Sequence, residues 1–248
     1  MPNGKGRTTN KGSEMNSRFL GLMAAGVLGL LGAAAPAVAT TVDDFEAGLP
    51  SGIDSDGVLT GFYIFAGSGT AAISTTSTPP ASVPGAAAGN TVLQMDVDTD
   101  SFAGFVHVFE GTDINTLAPR DWSSYRAMTF WLYGSNTGNE MYIDVLDNRG
   151  GGSTYPFELW TSTFDDDFSG WKQLSFAFSD LTRKEIGNGA PNDGLGLTTV
   201  HGWALGTLAT GGAQTYYVDD VRLVPEPGTL ALLSLGLAGL GLSRRRRA

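Results

Sequence analysis

The chain has no cysteine and only two histidines, His107 and His201, among its 248 residues. Without cysteine it can form neither a disulfide nor a thiol nucleophile, and two histidines are too few for a histidine-rich zinc site. No Gly-x-Ser-x-Gly segment accompanies them, so a hydrolase triad has no support. Carboxylates are numerous, but nothing in the sequence selects a pair with the separation that glycoside hydrolysis needs. We therefore interpret the protein as a non-enzyme.

Basic residues are scarce in the central part of the chain. Of the 15 Lys and Arg, eight lie before position 40 or after position 224, whereas 23 of the 25 Asp and Glu lie between those positions. The formal net charge of the segment 40–224 is thus 7 − 23 = −16. Such a surface repels nucleic acid and anionic lipid and favours cations or neutral partners. Nucleic-acid binding is excluded on this ground.

Long hydrophobic runs are also missing, and the two short ones lie near the ends. The C-terminal run extends from Thr229 to Ser243, shorter than the ~20 residues that span a bilayer comfortably. It follows Pro225, Glu226 and Pro227 and precedes Arg244, Arg245, Arg246 and Arg247, which mark a cytoplasmic end. We predict a short hydrophobic helix here. An ordinary tail anchor is the alternative.

The order Pro-Glu-Pro, short apolar segment and arginine run resembles the PEP-CTERM sorting signal. The resemblance implies processing by a membrane exosortase in a Gram-negative bacterium with an exopolysaccharide system. The protein would then be anchored transiently in the inner membrane and reach the cell surface or the extracellular matrix. Whether the tail is cleaved or retained stays open.

The N-terminal run has the features of a signal peptide. Arg18 precedes the apolar segment from Phe19 to Leu31, and Ala37-Val38-Ala39 matches the small-x-small pattern that signal peptidase recognises. We predict a signal helix and cleavage after Ala39, with Met1 or Met15 as the start. The sequence thus divides into an N-terminal extension with signal peptide (1–39), a body (40–224) and a sorting signal (225–248).

The body has the pattern of strands separated by turns. Met128, Phe130 and Leu132 alternate with polar or aromatic residues, and a period of two indicates a strand with one buried face. No segment shows a convincing helical period with caps, which favours an all-β sandwich or jelly roll. The predicted strands are Thr91–Val97, Gly104–Phe109, Ala127–Tyr133, Glu140–Asn148, Tyr155–Thr161, Trp171–Phe178, Val200–Leu208 and Thr215–Val224, with one more near Ile73 in a long surface segment.

Four motifs in order resemble the galactose-binding-like jelly rolls. They are Asp43-Asp44-Phe45-Glu46, Asp121 to Tyr125 with the strand that follows, Phe168 to Leu174, and Tyr216 to Leu223. The nearest branches are the family 11 carbohydrate-binding modules and the domain of the mitochondrial complex I intermediate-associated protein 30. The resemblance implies a two-sheet sandwich, often with a structural calcium ion, whose concave face binds β-glucan in some members.

Calcium is the predicted cofactor. It requires six to eight oxygen ligands, and an ion between the first and last strands would stabilise a fold without disulfides. Asp44, Glu46 and one of Asp219 or Asp220 suit this role if the terminal strands are neighbours, as the resemblance implies. The alternative is that these residues are solvated acids at strand ends.

A sugar site needs flat aromatic faces together with carboxylates or amides that pair with hydroxyls. Tyr142 and Asp144 are the strongest candidates because the opposite face of their strand is aliphatic. The further candidates are Trp131, Tyr133, Trp160 and Trp203, whereas Trp122, Trp171, Phe130, Phe176 and Phe178 are predicted to fill the core.

Two functions follow as hypotheses. In the first, the protein is an exported, calcium-stabilised module that binds exopolysaccharide or β-glucan. In the second, it is a structural protein of the envelope or biofilm matrix without a sugar site. Signal peptidase and exosortase are expected partners in both.

Overall fold

A computed structural model describes residues 39–147 and 157–226, which contain thirteen strands and two short 3₁₀ helices. The strands are β1 Thr40–Asp43, β2 Ser51–Ile53, β3 Leu59–Ala66, β4 Thr70–Thr76, β5 Val92–Asp98, β6 Phe102–Val108, β7 Tyr125–Ser135, β8 Glu140–Asp147, β9 Glu158–Asp165, β10 Ser169–Ala177, β11 Thr182–Lys184, β12 Gly202–Leu208 and β13 Gln214–Pro225. The helices are Phe178–Asp180 and Leu197–Thr199.

Sheet one has six antiparallel strands. Its order is β10-β7-β13-β5-β4, and β1 lies beside β13. On one side of β13, residues 214–218 pair with β5 and residues 221–223 pair with β1. A bulge at Asp219 and Asp220 separates the two pairings, and Asp220 has a positive φ of 52°. The first and last strands are therefore neighbours, as the resemblance implied.

Sheet two has seven antiparallel strands in the order β11-β9-β8-β12-β6-β3-β2. Its central strands β8 and β12 are buried on both faces, whereas β11 and β2 at the edges have three residues each. The two sheets confirm the predicted all-β sandwich.

The core lies between the sheets, where the inner-facing residues of alternating strands meet. Because successive side chains point to opposite faces, Met141, Ile143 and Val145 of β8 are all fully buried against the other sheet. Phe130, Phe176, Phe178 and Trp122 also lie in the core, as predicted.

Trp171 does not fill the core, contrary to the prediction. It is opposite Tyr133 in the β10–β7 ladder, on the outer face of sheet one, and its indole N–H donates to the carbonyl of Ala81 at 2.7 Å. Ala81 belongs to the segment 77–91, which connects β4 to β5. The prediction was wrong because a tryptophan on the outer face fits the period-two pattern of a strand as well as a tryptophan in the core does.

Within the described residues, all eight periodic segments and the strand near Ile73 form strands, with boundaries shifted by a few residues. Asn148, Tyr155 and Pro156 of the predicted segments lie outside the described ranges. The strands without a predicted counterpart are β1, β2, β3 and β11. β3 is apolar on both faces for much of its length, so it shows no period of two, and the other three have only three or four residues.

The body extends slightly beyond Val224. Pro225 is opposite Tyr125 in the ladder, and the N–H of Glu226 donates to the carbonyl of Ser124 at 3.1 Å. Thr40 lies opposite Leu223, so the predicted new N-terminus is adjacent to the strand that leads into the tail.

No helix within the described ranges has the length and apolar character needed to cross a membrane. The predicted signal helix, the hydrophobic segment from Thr229 to Ser243, Pro227 and the four C-terminal arginines lie outside those ranges.

Candidate functional site

A groove of about 480 Å³ lies on the outer face of sheet two. Six neighbouring strands, β11, β9, β8, β12, β6 and β3, line it with their outward-facing residues, because positions two apart on a strand share a face. β8 contributes Tyr142, Asp144 and Leu146, and β11 contributes Lys184. The other lining residues are Phe65, Phe102, Val106, Leu159, Thr161, Thr163, Ile186, Ala204 and Leu208.

Tyr142 lies at the centre of the groove. Its residue surface is 4% exposed, and its ring lies 6.4 Å from that of Phe65 in a stacked arrangement. Gly206 is opposite Tyr142 in the β12–β8 ladder, and a Cβ atom at Gly206 would be 2.5 Å from Tyr142 Cζ. The ring can therefore occupy this position only because residue 206 has no side chain.

A charged pair lies beside the tyrosine ring. The Lys184 ammonium is 4.0 Å from the ring centroid and donates a hydrogen bond of 3.0 Å to Asp144 Oδ2. A cation over an aromatic face is attracted by the ring quadrupole. The same cation neutralises Asp144, whose residue surface is 4% exposed. Lys184 thus joins the edge strand β11 to the centre of the groove.

Asp144 Oδ1 and the Tyr142 hydroxyl can form hydrogen bonds with a ligand in the groove. Asp144 Oδ1 is buried and has no hydrogen-bond partner. Burial, assisted by the charge of Asp144, raises the pKa of Tyr142, so its hydroxyl keeps its proton. The site therefore offers a carboxylate acceptor and a phenol beside an aromatic face.

The structure brings Tyr142 and Asp144 together in this groove, and the other predicted sugar residues lie elsewhere. Trp131 and Tyr133 are half-buried on the outer face of sheet one, where Tyr133 contacts Trp171 and Tyr217 at 5.5 and 6.0 Å between ring centroids. These residues cannot contribute to a ligand site on sheet two.

Trp203 and Trp160 face the core, which corrects their predicted position on a sugar-binding face. Trp203 is fully buried and donates its indole N–H to Asp43 Oδ2 at 2.6 Å. Trp160 packs against the core cluster, and its indole nitrogen is buried without a hydrogen-bond partner. Trp203 is surrounded in the sequence by the small residues Gly202, Ala204 and Gly206. The alternation along this strand therefore gives no clear signal for the face on which Trp203 lies.

Sequence reasoning missed Lys184, Gly206 and the apolar groove residues. Lys184 belongs to a three-residue strand without a period, and Phe65 belongs to the continuously apolar β3. A signal for Gly206 existed, because an isolated glycine inside a strand pattern indicates a close approach of other atoms.

The predicted calcium ligands lie close together but do not form a ligand cluster. Asp219 is buried, and Asn90 donates its amide N–H to Asp219 Oδ2 at 2.9 Å. Burial, assisted by the charges of Asp220 and Glu46 and opposed by the hydrogen bond from Asn90, raises the pKa of Asp219 to about 6. Glu46 Oε1 accepts the N–H of Thr91, and Asp44 Oδ1 accepts the N–H of Glu46. The described part of the chain contains no group of three or more His, Cys, Asp or Glu residues placed to hold a metal.

A family model described as "Carbohydrate binding domain (family 11)" matches residues 32–226, and the PEP-CTERM protein-sorting motif matches residues 223–247. No curated protein matches the sequence. The motif indicates export with sorting through the membrane.

Three solved structures share the fold. The family 11 module of a cellulosomal cellulase of Clostridium thermocellum has 20% identity and a TM-score of 0.53, with 77% of this chain and 97% of that chain covered. The same organism's module in complex with a β-1,3-1,4-mixed-linked tetrasaccharide has 21% identity and a TM-score of 0.54, covering 76% and 97%. A family 30 carbohydrate-binding module has 13% identity and a TM-score of 0.50, covering 77% and 89%.

Proposed function

The chain belongs to the family 11 carbohydrate-binding domains, and from this premise we propose that it binds a polysaccharide in the groove around Tyr142 without catalysing a reaction on it. The observation that supports this most is the combination of Tyr142, Lys184 and the unpartnered Asp144 Oδ1 in one groove. An aromatic face accepts the C–H side of a sugar ring, and a desolvated carboxylate oxygen accepts a hydroxyl.

The sorting motif determines where this binding acts in the proposal. A protein exported and processed by an exosortase meets polysaccharide outside the cell, so exopolysaccharide at the cell surface or in the biofilm matrix is the proposed ligand. The β-1,3-1,4-mixed-linked tetrasaccharide bound to a module of the same family supports a β-linked chain. The acidic body, with 7 basic against 23 acidic residues between Thr40 and Val224, favours an uncharged one.

One observation favours the second function, a structural matrix protein without a sugar site. The Tyr142 ring is covered by Lys184 and almost inaccessible, whereas stacking on a sugar requires an open ring face. For a polysaccharide to reach the ring, Lys184 must swing away while remaining near Asp144. The lysine side chain has the rotatable bonds for this movement.

Calcium stays a prediction in this proposal. Glu46 and Asp219 would be its ligands at the junction of β1 and β13. Calcium prefers six to eight oxygens, and the described residues contain no group of three or more His, Cys, Asp or Glu placed to hold a metal. The Asn90 amide, which donates to Asp219 Oδ2, would have to turn its oxygen toward the ion.

Affinity electrophoresis of the full chain tests the proposed function. Gels containing native exopolysaccharide or mixed-linkage β-glucan should retard the wild type, and Asp144→Asn should weaken the retardation. Tyr217→Phe is a matched control, since Tyr217 lies on the outer face of sheet one. An absence of retardation in every gel would favour the structural function instead.

A further inference from the structure

The walls of the groove are largely apolar, and this limits the kinds of ligand that can bind there. Eight of its thirteen lining residues are Phe, Val, Leu, Ile or Ala. A sugar hydroxyl placed against such a wall loses its water without gaining a hydrogen bond, which is costly. An unsubstituted glucan carries hydroxyls along both edges of its chain, so it gains less from these walls than a chain that also carries apolar groups.

The polar groups of the groove are mostly engaged with one another. Lys184 donates to Asp144 Oδ2, and the hydroxyl of Thr161 donates to the carbonyl of Ile143 at 3.1 Å. Asp144 Oδ1, the Tyr142 hydroxyl and Thr163 have capacity for a ligand. These groups can satisfy a small number of hydroxyls at the centre of the groove.

The apolar rim of the groove is exposed to solvent. The exposed large hydrophobic residues of the described ranges are Ile53, Ile64, Phe102, Ile186 and Leu208, and the last three line the groove. Phe102 is 44% exposed, Ile186 52% and Leu208 37%. Exposed apolar residues gathered at one groove mark a binding surface.

We propose that the groove selects an uncharged β-linked polysaccharide that carries short O-acyl groups such as acetyl. Phe102, Ile186 and Leu208 contact the acyl methyl groups, and Asp144 Oδ1 accepts a free hydroxyl beside Tyr142. The walls offer no hydrogen-bond partners for most of the hydroxyls of a sugar chain. Acylation exchanges some of these hydroxyls for ester groups, whose apolar methyl ends the walls can cover. This inference rests on the proposed function and names the ligand class of the same site.

The charge of the protein favours this occupant over an acidic one. The segment 40–224 has seven basic and 23 acidic residues, and Lys184, the cation in the groove, is paired with Asp144. Uronic acids, sulfated sugars and anionic lipid headgroups would be repelled. A neutral acylated chain carries apolar surface without this repulsion.

The test compares one polymer in two forms. Isothermal titration of the full chain with O-acetylated glucomannan, and with the same glucomannan after mild alkaline deacetylation, measures the contribution of the acetyl groups. We expect the acetylated polymer to bind more tightly, by roughly fourfold for each methyl group buried. Equal or tighter binding of the deacetylated polymer would overturn the inference while leaving the proposed function intact.

Variants of the rim residues test which side chains produce the preference for the acetylated polymer. Ile186→Thr and Leu208→Thr should reduce the preference for the acetylated polymer, because each adds a hydroxyl to the rim. Ile53→Thr is the matched control, since Ile53 is 54% exposed and lies outside the groove. An unchanged preference in both groove variants overturns the assignment of the rim.

Two further outcomes are distinguishable. Binding of neither polymer, together with no retardation by native exopolysaccharide, contradicts the proposed function itself. Binding to phosphatidylcholine vesicles but not to glucomannan overturns the glycan assignment in favour of a lipid ligand for the apolar rim.

Discussion

Asp43 in β1 and His107 in β6 form a buried hydrogen bond that joins the two sheets. Asp43 Oδ2 lies 2.9 Å from His107 Nδ1 and also accepts the indole N–H of Trp203. The second ring nitrogen of His107 is 2.9 Å from Glu110 Oε2. Both nitrogens therefore face carboxylate oxygens, an arrangement that suits the doubly protonated imidazolium.

The first prediction concerns the pH dependence of this pair. Burial alone would lower the pKa of His107, but the charge of Asp43 and the hydrogen bonds to Asp43 and Glu110 outweigh it and raise the pKa above 6.5. The folded state then binds the proton more tightly than the unfolded chain does. The stabilisation should be complete below about pH 6.5 and be lost as the pH rises through the folded pKa.

Urea unfolding between pH 6 and pH 9 measures this effect. His107→Gln should cost about 3–5 kcal/mol at pH 6, because it leaves Asp43 buried without its cation. It should also flatten the decline in the free energy of unfolding above pH 6.5. An identical decline in the wild type and the variant would mean that His107 is not charged in the folded state.

The second prediction concerns Asp219, whose pKa burial raises to about 6. Between the ordinary value near 4 and pH 6, the folded state holds a proton that the unfolded chain releases, so stability should fall as the pH rises through this window. Asp219→Asn removes the penalty and can still accept the Asn90 amide. In the presence of a chelator, we expect this variant to raise the free energy of unfolding at pH 7.5 by about 1–3 kcal/mol. At pH 4 it should not raise the free energy of unfolding.

Asp147 provides an internal comparison for this prediction. Burial raises its pKa to about 6 as well, although the N–H of Gly196 opposes the shift, and the charges of Glu158 and Asp193 add to it. Asp147→Asn should therefore also stabilise the protein at pH 7.5. Melting temperatures of both variants at pH 4 and pH 7.5 check the two sites separately, and a loss of stability at pH 7.5 in both would contradict the raised pKa values.

The third prediction concerns calcium at the junction of β1 and β13. If an ion binds to Glu46 and Asp219, chelation should lower the melting temperature of the wild type, because a ligand that binds only the folded state stabilises it. Asp219→Asn should then abolish the response to the chelator. A melting temperature that does not change with the chelator in either protein would show that calcium does not bind at this site.

The alternation along β8 was sufficient to predict both its strand and the place of Tyr142 and Asp144 on the face away from the core. Trp203 and Trp160 could not be assigned in the same way, because alternation separates two faces without saying which one meets the other sheet. That choice depends on long-range contacts such as the bond from Trp203 to Asp43. Lys184 was beyond prediction for a related reason, since its role depends on β11 pairing with β9.

The last prediction concerns Gly206, which lies against the ring of Tyr142. Gly206→Ala would place a Cβ atom 2.5 Å from Tyr142 Cζ, so the ring must move toward Lys184 and into the groove. Overpacking of this kind costs about 1–3 kcal/mol. Gly111→Ala is the matched control, because the nearest atom to its Cβ would be 3.5 Å away. The melting temperature and the affinity for polysaccharide should fall together in Gly206→Ala and stay near the wild-type values in Gly111→Ala. A loss of stability with unchanged affinity would show that the position of the Tyr142 ring does not control binding, and the sugar site would then have to be sought away from this ring.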